Sequence, residues 1–474
     1  MGRSNRFIAV SSAAIFLTAG SGMAQAETLQ EAVQVMLETN PEVRAVSTNR
    51  NIRDEIVRQA RSDYYPKIDF EAGAGVQEFQ TPEDASLDPR LYRLGLRQNL
   101  FTGFATKNNV RRTKAGVSAS AYQIRDAADN TTLTASRAYL DVLLKEQIVD
   151  LADRNLVIHK RILDQIKLRS GSGVSRKADL DQIESRLSLA QSNVVNTKAN
   201  LLDSQTAYLS VIGHVPKDLS SPKPLDEFMP ADLEEAERLA VEQHPRLKST
   251  NYDVEAREAQ YDIAKAPYYP ILDFELDKTW EDEIQVNATL DEQESWIAFL
   301  RLRWNLFNGM YDHARKKETA YQIDEAKEIR NNAYRQIIES VRLSWASYQA
   351  ALDRLEYLQS RVDSAERTAK AYAKQWNIGQ RTLLDVLDSE AETINAMEDL
   401  YEAQTEKQLA QYRILDGLGR LVPSLGLQYP EQAYLEQDES QQSASAETTE
   451  VQAVPEPAPA PAPAAPQEKK LGPG

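Results

Sequence analysis

Trp296-Ile297-Ala298-Phe299-Leu300-Arg301-Leu302-Arg303-Trp304-Asn305-Leu306-Phe307-Asn308-Gly309 is the stretch whose reading decides the fold. In extended chain, successive side chains point to opposite faces. Here Trp296, Ala298, Leu300, Leu302, Trp304 and Leu306 share one face, opposite Arg301, Arg303 and Asn305. Such strict alternation marks a strand with one apolar and one charged surface. The end of the stretch has a double: Asn305-Leu306-Phe307-x-Gly309 repeats Asn99-Leu100-Phe101-x-Gly103, 206 residues earlier.

That match extends in register along the chain. Leu29-x-Glu31-Ala32 returns as Leu233-x-Glu235-Ala236, Tyr64-Tyr65-Pro66 as Tyr268-Tyr269-Pro270, and Asp69-Phe70 as Asp273-Phe274, all at an offset of 204. Gly173, Asp179, Glu184 and Gly213 return as Gly379, Asp385, Glu390 and Gly419 at 206. A unit of this length is far longer than a solenoid repeat, so the chain reads as a duplicated half-molecule.

Each half reads helix, helix, strand, strand, very long helix, turn, helix. Pro41 and Pro245 open helices, where a missing N–H costs least, and the Tyr-Tyr-Pro tripeptides turn the chain to extended structure. Ile68, Phe70, Ala72, Ala74 and Val76 then alternate with Asp69, Glu71, Gly73, Gly75 and Gln77. From Gly103 to about Leu168 there is no proline, and the second half repeats this from Gly309 to about Trp376. Such a helix would be about 100 Å long. The expected organisation is a first repeat at 27–222, with a strand pair near 68–101 and a helical hairpin at 103–212. A second repeat follows at 223–429, with a strand pair near 271–307 and a hairpin at 309–419. Gly173 and Gly379 mark the hairpin turns.

Both ends stand apart from the repeats. Residues 1–26 read as a signal peptide: Arg3 and Arg6, a mostly apolar run from Phe7 to Ala19, and a small-x-small site at Ala24-Gln25-Ala26. Residues 430–474 read as a disordered acidic tail rich in Pro and Ala, unable to bury enough apolar surface to offset its ordering entropy. The 474 residues carry 55 Lys+Arg against 72 Asp+Glu, a net charge of −17 that argues against nucleic acid as a partner. A mean hydropathy of −0.54 excludes a helical membrane bundle. With no cysteine, disulfides, thiolate metal sites, cysteine nucleophiles and lipid attachment at an N-terminal cysteine are excluded.

The strands point to a membrane and to an oligomer. Trp296 and Trp304 lie eight residues apart, about 26 Å at strand rise, close to the distance between the aromatic girdles of an outer-membrane barrel. In lipid a sheet must be closed, and four strands per chain cannot close one. The strands are therefore expected to be shared among chains, two giving eight and three giving twelve; a small soluble sheet packed on the helices is the alternative reading of the same strands.

This pattern resembles the TolC-like outer-membrane channel-tunnels, over about residues 28–422. The most specific stretch is Gly379-Gln380-Arg381-Thr382-Leu383-Leu384-Asp385-Val386-Leu387-Asp388, similar to the family's signature between its last two long helices. The resemblance implies a mainly α fold with a small membrane β part. A homotrimer would form a 12-stranded transmembrane β-barrel continued by a 12-helix periplasmic α-barrel. It implies a duct in the outer membrane of a Gram-negative bacterium, with a large periplasmic part, which docks on an inner-membrane transporter through a periplasmic adaptor. It also implies site residues. Asp385 and Asp388 would ring the closed entrance, Arg381 would help hold it closed, and Asp179 would be the partner from the first half. Trp376 stands where the family more often has Tyr or Phe.

The residues alone leave an alternative at that site, because Thr382-x-x-Asp385 is also a helix start with Thr382 as N-cap. Asp388, one turn further on, is not explained by capping. No catalytic signature is present: His159, His214, His244 and His313 are isolated, and no phosphate-binding glycine pattern occurs. Neither an enzyme activity nor a cofactor is expected. Three functions compete. The first is type I protein secretion with an ABC transporter, which the missing lipidation cysteine and the Arg381–Asp388 wording favour. The second is multidrug efflux with a proton-driven pump. The third is a coiled-coil adhesin or adaptor without a pore, which the duplicated aromatic strand pairs disfavour.

Overall fold

The computed structural model describes residues 26–79, 85–171, 176–282 and 292–435. The leader up to residue 25, the Gly173 turn and the tail beyond residue 435 lie outside these. Two series of elements follow one another. The first is α1 (Leu29–Thr39), α2 (Pro41–Ser62), β1 (Lys67–Ala74), the short hairpin β2 (Gln77–Phe79) and β3 (Ala85–Leu87), β4 (Arg90–Thr102), α3 (Ala105–Gly171) and α4 (Lys177–Ile212). The second is α5 (Leu233–Gln243), α6 (Pro245–Ala264), β5 (Ile271–Asp282), β6 (Glu292–Arg303), α7 (Tyr311–Asn377), α8 (Leu383–Gly417) and the single turn α9 (Leu421–Ser424). The alternation patterns do not announce the β2–β3 hairpin.

Local chemistry sets the boundaries. Thr28 caps α1 reciprocally: its Oγ1 accepts the Glu31 N–H at 3.2 Å, and Glu31 Oε2 accepts the Thr28 N–H at 2.8 Å. The 67-residue helices α3 and α7 each start two residues after their glycine. Gly103 and Phe104, and likewise Gly309 and Met310, have φ between 55° and 69°, so a left-handed pair separates strand from helix. At Gly103 space also decides, since a Cβ would lie 2.5 Å from the Ala266 carbonyl oxygen.

Compact packing cuts across the repeat. Among the described residues, one unit gathers 26–48, 125–254 and 320–429; the other gathers 49–124, 255–319 and 430–435. The first unit buries Leu29, Val33 and Met36 of α1 with Ala236 and Ala240 of α5 in one core, against Tyr139 of α3, Tyr208 and Ile212 of α4, Ile337 and Val341 of α7 and Leu415 of α8. A 3-10 turn at Glu431–Ala433, with Ala433 buried, lies just past residue 430, where the tail is expected to start.

A buried carboxylate fixes the chain after α8. Asp129 of α3 is 2% exposed; its Oδ1 accepts the Val422 N–H and its Oδ2 the Tyr429 hydroxyl, both at 2.9 Å. Burial holds its carboxyl well above the usual range. Burial, and then the charge of Asp126, push Asp416 from 3.8 to about 7. The unfolded chain therefore releases the Asp416 proton first as pH rises. Its contribution to folding is full below about pH 4 and is lost progressively toward pH 7. Asp416→Asn should flatten the fall in stability over that window in unfolding curves taken at a series of pH values; an unchanged slope would exclude Asp416 as its source.

Candidate functional site

Two regions carry the functional argument, and each is built from matching parts of the two series. The first is the sheet, with strand order β1-β4-β5-β6, antiparallel throughout. Residues paired across antiparallel strands project from the same face. One row of partners is Ile68, Leu96, Leu276 and Ala298, and the next is Phe70, Leu94, Lys278 and Trp296. Phe274 faces Leu300 on the same side. This surface has no cover within the chain among the described residues: Phe70 is 67% exposed and Trp296 72%.

The opposite face is charged and knitted together. Arg93 pairs with Asp277 at 3.0 Å, Arg97 with Asp273 at 3.0 Å, Arg301 with Glu275 at 2.7 Å and Arg303 with Asp273 at 2.5 Å. Gly95 leaves room for this ladder, because a Cβ there would lie 2.9 Å from Asp277 Oδ1. Among the described residues, β1 and β6 are each paired on one side only.

The structure corrects the reading around Trp304. The expected alternation to Leu306 stops at Arg303, which pairs with Ile271, the first residue of β5. Pro270 precedes Ile271 and has no N–H to continue the ladder. Asn305 Oδ1 then accepts the Phe307 N–H at 3.2 Å and bends the chain. Trp304 therefore follows the strand, while Trp296 lies within it. Sequence reading missed a further aromatic pair, Tyr92 opposite Trp280, which only the register reveals. Trp280 Nε1 donates to Glu294 Oε1 at 3.1 Å, giving the ring a polar end next to an apolar band.

The second region is the tip where the two helical hairpins turn. Ile162, Leu163 and Ile166 of α3, Ile183 of α4, Trp376 of α7 and Leu383, Val386 and Leu387 of α8 form one buried cluster. Trp376 is buried in it, with the Arg169 guanidinium 4.1 Å from its ring centre. Helix α7 ends through Gly379, at φ 78°, with its N–H donating to the Trp376 carbonyl.

Arg381 lies 4.3 Å over the Tyr372 ring, donates from Nε to Gln375 Oε1 at 3.1 Å and reaches Asp385 at 4.0 Å. These contacts stay within its own hairpin. The Asp385 carboxylate accepts the Thr382 N–H at 3.0 Å, while Thr382 Oγ1 accepts the Asp385 N–H at 3.2 Å. The Thr382 backbone and hydroxyl donors, and then the Arg381 charge, hold Asp385 below the usual carboxylate range. Capping of α8 is thus real at Asp385. Asp388 has a different partner, Arg186 of α4, at 2.9 Å. Asp179 accepts the Arg176 N–H at 3.3 Å at the start of α4. Sequence reading missed Arg186 and Arg169. Arg186 had a signal, since it follows Asp179 by seven residues, two helical turns along one face.

Three of the four histidines hold structural places. His159 is buried with Nδ1 2.9 Å from the Asn155 carbonyl, His214 Nε2 is 3.2 Å from Glu27, and His244 Nδ1 accepts the Arg246 N–H at 3.1 Å. Burial and Arg246 lower His244 to about 4. Among the described residues no acidic or histidine group is arranged to hold a metal, and no helix is long and apolar enough to cross a membrane.

Comparison with known proteins agrees with this architecture. The chain is 25% identical over 421 residues to the outer membrane efflux protein BepC of Brucella suis, covering 87% of this chain and 90% of BepC. It is 22% identical over 429 residues to the outer membrane protein TolC of Escherichia coli, covering 85% of each. The crystal structure of the Campylobacter jejuni CmeC outer membrane channel superposes with a TM-score of 0.74 at 14% identity, covering 88% of this chain and 89% of that one. The family described as "Outer membrane efflux protein" matches residues 32–214 and 238–420, one segment in each half, and the chain belongs to that family.

Proposed function

We propose that this chain is the outer-membrane exit duct of a tripartite export machine, in which three copies pool twelve strands into one barrel and continue it with helices in the periplasm. The sheet carries this reading: apolar on one face, ion-paired on the other, unpaired at both edges. No open edge persists in hydrocarbon, so β6 of one copy would pair with β1 of the next. A periplasmic adaptor and an inner-membrane pump complete the machine, because the chain carries no nucleotide-binding pattern of its own. The duplicated halves at 27–222 and 223–429 supply equivalent hairpins, and the leader at 1–26 directs export.

The finer reading is protein secretion with an ABC transporter, supported by the absence of a lipidation cysteine and by the Arg381–Asp388 motif. The name of BepC, an efflux protein, favours small-molecule efflux with a proton-driven pump as the second reading. Deleting the gene for this chain and assaying secreted protein and drug tolerance separates the two; unchanged secretion with increased drug sensitivity would discard the first.

In this duct the hairpin tips form the periplasmic entrance. Asp385 and Asp388 supply its charge, Arg381 and Arg186 oppose it, and Asp179 and Trp376 brace it from either hairpin. Threefold symmetry brings six carboxylates around one axis, where a narrow opening strengthens their field.

Sedimentation in detergent should return the mass of a trimer; a stable soluble monomer is incompatible with the barrel. Leu300→Arg, on the apolar face, should cost about 2–4 kcal/mol if it lies near the bilayer centre. Thr279→Arg, in the row with Arg93 and Ser295, should be much milder, and equal heat resistance of the two trimers would refute the faces.

In planar bilayers, Asp385→Asn with Asp388→Asn should weaken cation selectivity and block by multivalent cations. Arg381→Ser should raise single-channel conductance. Wild-type conductance and selectivity in both would reduce the motif to helix capping.

A further inference from the structure

The residue that follows the expected cleavage site is held in a socket. Glu27 lies beside the linker between the two halves, bridged in parallel to Leu219. Its carbonyl accepts the Ser220 N–H at 2.9 Å and the Tyr139 hydroxyl at 2.7 Å. Its carboxylate lies 3.2 Å from His214 Nε2 and accepts the Lys217 N–H at 3.4 Å, and the side chain is only 13% exposed. Its nitrogen faces two carbonyl oxygens, Asp218 at 3.1 Å and Lys217 at 3.4 Å.

Two features of this socket suit an ammonium better than an amide. A peptide N–H has one hydrogen to share between two acceptors, whereas a free α-ammonium has three. Asp218 is also held at φ 40°, a left-handed conformation costly for a non-glycine residue, at the very carbonyl nearest the Glu27 nitrogen. A cation there would in addition face the Glu27 carboxylate, which is largely removed from water.

We propose that leader removal creates a structural group: the α-ammonium of Glu27, which docks on the Lys217 and Asp218 carbonyls and ties the mature N-terminus to the inter-repeat linker. The step is hydrolysis by a leader peptidase. Water adds across the Ala26–Glu27 peptide bond, leaving the carboxylate on Ala26 and the amine, protonated near neutral pH, on Glu27. Processing would then do more than free the chain from the membrane it has crossed. It would supply a contact on which Tyr139 of α3 and the linker at 217–220 converge. The proposal concerns the fold alone and does not depend on the duct or its cargo.

The test uses full-length protein purified from outer membranes. N-terminal sequencing should begin at Glu27. Brief acetylation with an N-hydroxysuccinimide ester at neutral pH, read by mass spectrometry of the N-terminal peptide, should label the α-amine at least tenfold more slowly in the folded protein than in urea. A variant with one alanine inserted between Ala26 and Glu27, cleaved at its small-x-small site to leave an extra N-terminal residue, should lose this protection and melt at a lower temperature. An N-terminus at another residue, or equal labelling of folded and unfolded wild type, overturns the proposal. So does an extended variant with undiminished protection and melting. If that variant fails to fold, the wild-type labelling ratio still decides.

Discussion

The unpaired outer edges of β1 and β6 are the constraint on which the rest of the molecule depends. Each edge presents a row of backbone N–H and C=O groups, and in hydrocarbon every such group left unpaired costs several kcal/mol. A soluble protein could blunt these edges with charge or proline, but here the face beside them is Phe70, Leu94, Trp296 and Leu300. Lipid on one side and a neighbouring copy along each edge satisfy both requirements at once. Oligomerisation is then a condition of insertion, and the helices that continue the strands inherit its symmetry.

The charged face answers a second requirement, that a wall built from short strands of two distant segments hold its register. Asp273 is fully buried on β5 and receives Arg97 from β4 and Arg303 from β6. One carboxylate therefore bonds three strands side by side. Removing it would leave two guanidinium groups, one on each strand flanking β5, without their anion, a much larger loss than an exposed ion pair represents. Arg93 with Asp277 and Arg301 with Glu275 repeat the theme along the same surface. Slipping either strand by one residue would send every arginine to the apolar side.

The two series of elements were legible because local rules act on short stretches: Pro41 and Pro245 open helices, and period-two alternation marks strands. The family resemblance spans about residues 28–422 and is most specific in one such stretch, the wording around Arg381 and Asp388. What could not be read was set by register and by packing at long range. Tyr92 meets Trp280 only because β4 pairs with β5, and Arg186 meets Asp388 across 202 residues. The early end of β6 depends on Pro270, which immediately precedes its partner strand, so no pattern within 296–306 could announce it. The compact units cross the repeat for a similar reason. Helices α1 and α5 bury amphipathic faces too narrow to form a core alone, and one shared core serves both.

At the hairpin tip, capping and the gating we propose would share the same groups. Asp385 is bound within its own hairpin by Thr382 and Arg381, so moving one hairpin against the other leaves its partners in place. Asp388 is bound by Arg186 of the other hairpin, and the same movement strips it of its cation. In a closed trimer the set of two carboxylates and two arginines per copy is balanced, which relieves the repulsion that six bare charges would impose. Separation of the hairpins would expose three Asp388 carboxylates to the lumen while the Asp385 caps stay intact. The fixed charge seen by a passing ion would then rise as the entrance widens, so that selectivity becomes a property of the open state, set by an ion pair between α4 and α8.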